Sequence, residues 1–211
     1  MKKKGGKVLS GGLRLMFLGE CITFAWTIVY FLTSILAYFV QDTTRAGAMI
    51  VLMSALIGVV GTLAGLVGAV VGIVGLWRLR REHRDYKIAL VILAAAFVCG
   101  TLMPRNPGHL ASILILLPVT LLGLLELYLV VRATNTFLKG GKRDTLRAEG
   151  KRALWAKAIT AVISLVSSIL TGLLLDGTPR LVTHLAVSEA AMFVSEILYL
   201  IYLKHSSEAL A

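Results

Sequence analysis

The sequence predicts an all-α integral membrane protein, a six-helix bundle built from three antiparallel helical hairpins with the N-terminus and C-terminus cytoplasmic. Three observations predict it. Of 211 residues, 57% are hydrophobic and mean hydropathy is +0.84, too apolar for an ordinary soluble domain. Six apolar runs lie between charged segments, and a spanning helix needs roughly 20 apolar residues to cross about 30 Å of hydrocarbon. When those runs are threaded through a bilayer, the four inner segments carry 5, 5, 8 and 1 of the 22 basic residues, and the outer turns carry only Arg45, Arg105 and Arg180. Lys and Arg are held back on the cytoplasmic side during insertion, so the asymmetry sets an N-in, C-in orientation in the cell (inner) membrane. The whole of 1–211 reads as a single transmembrane domain.

The first span, about 15–40, follows a basic start at Lys2, Lys3, Lys4 and Lys7. That start resembles a signal sequence. The apolar stretch runs well beyond the core of one, and no small-x-small cleavage site closes it, so a retained span is expected. The second span, about 46–77, is uncharged for 32 residues. As a helix that is about 48 Å, longer than the hydrocarbon thickness, so Trp77 is expected to anchor its end in the headgroup layer. Small residues recur along it at Ser54, Gly58, Gly61, Gly65, Gly68, Gly72 and Gly75. Alternating steps of four and three put them on one face, where a neighbouring helix can approach closely. A packing seam inside the bundle or between protomers is expected there, with a glycine-lined pore as the alternative.

Spans three and four, about 87–103 and 110–132, are joined by a turn from Pro104 to His109. Span three is short, with Lys87 placed to snorkel at its base. Pro118 removes a helical hydrogen bond in span four and should kink it near Leu114. The basic loop 133–152 contains Gly140 and Gly141. It then reads, from Arg143 to Lys157, as a helix on the inner leaflet running into span five. Spans five and six, about 153–175 and 181–203, are joined by a turn from Asp176 to Arg180. Each turn is dense in Gly, Pro, Asp or Asn, as tight connections require.

The sharpest chemical signal is a set of four carboxylates within or at the edge of spans: Glu20, Glu126, Glu189 and Glu196. An ionised carboxylate in hydrocarbon is costly, so each faces the bundle, finds a partner or takes up a proton. Glu20 is expected at the inner interface. Antiparallel pairing of spans three and four sets Glu126 opposite Lys87 as a structural ion pair. Glu189 and Glu196 are seven residues apart on one face of span six. A hydroxyl stripe on span five, Thr160, Ser164, Ser167, Ser168 and Thr171, faces them in the antiparallel pairing, with Ser167 near Glu189 and Thr160 near Glu196. Such hydroxyls either satisfy neutral acids that glue two helices or line a hydrated path beside ionised ones.

Other signals are weak. His83, His109, His184 and His205 are scattered along the chain, so no metal site is expected. No catalytic triad, phosphate loop or dinucleotide fingerprint occurs, and no cofactor or enzymatic activity is expected. Cys21 and Cys99 fall near opposite membrane faces and cannot pair. The basic pI near 10 is accounted for by topology and by anionic headgroups at the cytoplasmic face, so no nucleic acid is expected as a partner.

The stretches Gly100 to Arg132 and Leu175 to Glu196 resemble the HdeD-type family of small six-span bacterial membrane proteins. The likeness lies in proline-bearing outer turns, each followed by a long apolar helix with small residues. It implies three helical hairpins and a link to acid or envelope stress, with no catalytic residues to carry over. The expected function is therefore a non-enzymatic multi-pass inner-membrane protein supporting envelope or acid-stress tolerance, with a homo-oligomer packed along the glycine seam. The alternatives are a small proton- or cation-coupled transporter or channel using the intramembrane glutamates, and a membrane subunit docking a cytoplasmic partner through its basic segments.

Overall fold

Six helices run α1 (Lys2–Phe39), α2 (Arg45–Leu79), α3 (Arg84–Thr101), α4 (His109–Phe137), α5 (Arg143–Leu173) and α6 (Pro179–Ala209). They come from a computed structural model that describes residues 2–39, 45–101, 109–138, 143–173 and 179–211. Every described element is helical. Among the described residues, three helices contain segments long and apolar enough to cross a membrane: Gly6–Thr33, Leu56–Leu79 and Leu117–Phe137.

The helices outrun the spans drawn from hydropathy at their basic ends. α1 begins near Lys2, not near residue 15, and the basic segment before span five is one continuous helix with it. α4 runs on to Phe137, past the expected end of span four, and α5 begins at Arg143, where the sequence predicts the basic helix to start. A long apolar run marks where lipid lies, whereas the backbone goes on satisfying its own hydrogen bonds into the headgroup layer. α4 is helical on both sides of Pro118.

Each helix packs against its chain neighbours, and α6 closes the ring against α1. Contacting residues run in opposite order across most of these pairs. Gly12 meets α2 at Leu79 and Gly75, and Gly19 meets it at Gly68 and Gly72. Along α1 and α6, Gly6 lies against Leu210, Ser10 Oγ donates to the Ser207 carbonyl at 2.8 Å, and Phe24 stacks edge-on against Phe193.

Tight packing is concentrated at the basic end. Leu13, Leu76, Leu79, Tyr86, Val130, Tyr202 and Leu203 are fully buried there. Two tyrosines of this core are hydrogen-bonded: Thr134 Oγ1 donates to the Val130 carbonyl at 2.8 Å, so the 2.8 Å bond between Tyr86 and Thr134 has the tyrosine hydroxyl as donor. Tyr202 donates to Asn135 Oδ1 at 3.2 Å. Away from this end the exterior is apolar, with Leu52, Val59, Leu63, Val91, Phe97, Val162 and Val194 all more than half exposed. Large apolar side chains turned outward over so much of the surface are unlike the exterior of a water-soluble bundle.

The glycine row on α2 divides into two stripes. A Cβ on Gly68 would lie 2.5 Å from Thr23 Oγ1 and 2.7 Å from the Gly19 carbonyl; one on Gly75 would lie 2.7 Å from the Gly12 carbonyl. A Cβ on Gly61 would fall inside the Trp26 ring. Gly58, Gly65 and Gly72 have open space where a Cβ would stand. The expectation of one continuous seam is therefore corrected. A step of three residues turns the helix about 60° short of a full turn, so Gly61, Gly68 and Gly75 face α1 while the other three look past it.

Candidate functional site

Next to the buried core lies a cavity of about 320 Å³ lined from α1, α4, α5 and α6. Four residues of α5 reach it with helical spacing: Lys157, Thr160, Ala161 and Ser164. α4 contributes Thr120, Gly123, Leu124, Glu126 and Leu127, α1 contributes Glu20, and α6 contributes Tyr199. Gly123 leaves room on the α4 wall; a Cβ there would meet nothing.

Lys157 forms an ion pair with Glu196 of α6, with both side chains largely shielded. Glu126 lies within electrostatic range of Glu20 and Lys157, and Glu20 within range of Glu196 and Lys157. One carboxylate thus pairs with the ammonium, and two more, from α1 and α4, share the cavity wall with it. Counting along the helices from Arg14, Arg132, Arg152 and Lys204, the cluster sits about 8–12 Å inside the basic rim. Carboxylates at that depth attract compensating charge strongly, because little solvent screens them.

This arrangement changes several of the sequence expectations. Glu126 does not pair with Lys87: Lys87 is exposed on α3, and Glu126 turns into the cavity toward Lys157. Helix rotation decides this, since Lys87 and Glu126 lie on faces of α3 and α4 that do not meet. Glu20 lines the cavity. Thr160 Oγ1 donates to the Ala191 carbonyl at 3.0 Å and Ser164 lines the cavity, while Ser167 is buried. The side chains of Ser54, Ser168, Thr171, His184 and Glu189 lie outside the described residues, so the expected facing of Ser167 and Glu189 does too.

Lys157 and Tyr199 were not among the residues singled out from the sequence. Lys157 had the same signature as the glutamates, a charge ahead of a long uncharged run, and shares a helical face with Thr160 and Ser164; its place at the end of a basic segment hid it. Among the described residues no group of His, Cys, Asp and Glu is arranged to hold a metal ion. Cys21 and Cys99 are free thiols.

At the basic rim, Asp85 Oδ2 meets Arg132 Nε at 3.4 Å and His205 Nδ1 meets Glu149 Oε2 at 3.0 Å. These contacts join α3 to α4 and α5 to α6 outside the apolar zone. Burial pushes the Tyr86 hydroxyl at this rim well above its ordinary value near 10. Compared with known protein families, curated proteins and solved structures, the chain matches none.

Proposed function

We propose that the chain is a multi-pass inner-membrane protein of three antiparallel hairpins, N-in and C-in, that takes up protons or small cations at the Glu20, Glu126, Lys157 and Glu196 site. One observation carries the reading: carboxylates of α1 and α4, Glu20 and Glu126, line a cavity together with Lys157, whose ammonium is already paired with Glu196 of α6, inside a bundle with an apolar exterior. One ammonium balances one of three carboxylates. The other two call for protons or a bound cation, since uncompensated charge in a low-dielectric interior is costly. Hydroxyls of Thr120, Thr160, Ser164 and Tyr199 supply donors and acceptors in place of water along the wall. The HdeD-type resemblance suggests acid or envelope stress as the setting in which such uptake would serve.

The test is proton flux. The protein is reconstituted in vesicles holding a pH-sensitive dye, a proton gradient is imposed, and the wild type is compared with Glu20→Gln, Glu126→Gln and the pair Glu189→Gln plus Glu196→Gln. Flux that is lost in Glu20→Gln and Glu126→Gln is the expected result, with a sodium or potassium gradient as the parallel assay. Equal and negligible flux of all three ions in every variant would overturn the reading and leave a structural role for the carboxylates.

A further inference from the structure

A second recess, about 640 Å³, opens at the basic rim between the start of α1 and the end of α2. Lys7, Arg78, Arg80 and Arg81 line it together with Trp77 and Glu82. Four cations against one carboxylate leave three positive charges. Among the described residues none of the four cations is in an ion pair. The Arg80 guanidinium lies over the Trp77 ring, 3.2 Å from its centroid, which holds one cation in a fixed place. Asp85, just beyond the end of α2, is engaged with Arg132.

The recess sits where two candidate spans, Gly6–Thr33 and Leu56–Leu79, both reach the rim. Val8 and Trp77, within the recess itself, are 41% and 52% exposed, and inward along α2 Val74 is 42% and Val70 58% exposed. Val74 is one helical turn from Arg78. A cationic pocket above an apolar track matches a molecule with a phosphate at one end and a hydrocarbon chain at the other. We infer that this recess binds the phosphate headgroup of an anionic phospholipid, with an acyl chain laid along Val74 and Val70. General retention of basic residues on one side does not call for a cavity, an aromatic-held arginine and a shortage of counter-charges at one place.

Brominated lipid tests the site directly. The protein is placed in phosphatidylcholine vesicles containing dibrominated phosphatidylglycerol or dibrominated phosphatidylcholine, and the quenching due to Trp77 is taken as the difference between wild type and Trp77→Phe. The same difference for Trp155→Phe reports an exposed tryptophan elsewhere on the protein. The expected result is a preference for phosphatidylglycerol at Trp77 at least about fivefold above that at Trp155. Lys7→Gln with Arg81→Gln, which keeps Arg78, Arg80 and Arg84 to hold orientation, should bring the preference down to the Trp155 level. Equal preference at the two tryptophans, or a preference unmoved by the double substitution, would overturn the site. Loss of the preference on adding millimolar glycerol phosphate would identify a soluble phosphate as the ligand and overturn the lipid assignment.

Discussion

Lys157 is the residue on which the charge balance of the cavity turns. It is bonded to Glu196 and lies within range of Glu20 and Glu126. Removing one partner of a shielded pair strands the other, whereas removing both removes the problem. Lys157→Met and Glu196→Gln are each expected to lower stability in detergent, and the double variant to lose less than their sum by about 1–3 kcal/mol. Denaturant unfolding of the four proteins checks this; strictly additive losses would show that the pair is not coupled. Tyr86 makes a different prediction. Its hydroxyl is buried and donates to Thr134, so the folded chain resists its ionisation. The unfolded chain loses that proton near its ordinary value of about 10. Stability from this group is therefore complete below that pH and falls as pH rises above it. Tyr86→Phe should lose about 0.5–1.5 kcal/mol at neutral pH and show a shallower decline in alkali than wild type, measured by thermal melts at a series of pH values.

At the scale of the helix, the division of the α2 glycines is the informative feature. The stripe at Gly61, Gly68 and Gly75 lets α1 come close enough for backbone to meet backbone. Membrane helices lack a hydrophobic drive toward one another, so this close approach is where their attraction arises. Gly68→Ala places a methyl group 2.7 Å from the Gly19 carbonyl and should cost about 1–3 kcal/mol. Gly65→Ala, facing open space, should cost nothing or stabilise slightly. The contrast is read from melting temperatures in one detergent, and equal losses at both positions would refute the assignment of faces. The stripe was legible as a periodicity, but the three-and-four alternation admits one broad face or two narrow ones. Only the position of α1 chooses between them. The hydroxyls of α5 tell a similar story: Thr160 and Ser164 were visible as a stripe, while Lys157, one turn before Thr160, completes the face that lines the cavity.

For the whole molecule, the ring of six helices brings α1 beside α6, so both ends of the described chain meet at the basic rim through Ser10 and Ser207. A reporter fused after Ala211 is expected to remain cytosolic, and a cysteine replacing Arg105 to react with membrane-impermeant reagent from outside; an exported reporter would reverse the orientation. Six helices in this order, and the gathering of basic residues beside their ends, were legible in the sequence, because lipid demands long uncharged runs and insertion sorts cations. Which charges meet was decided only by tertiary structure. Glu126 turns to Lys157 and away from Lys87, and Glu20 joins them from a helix more than a hundred residues away in sequence, because side chains on a helix point in every direction and packing alone sets how each helix is rotated against its neighbours.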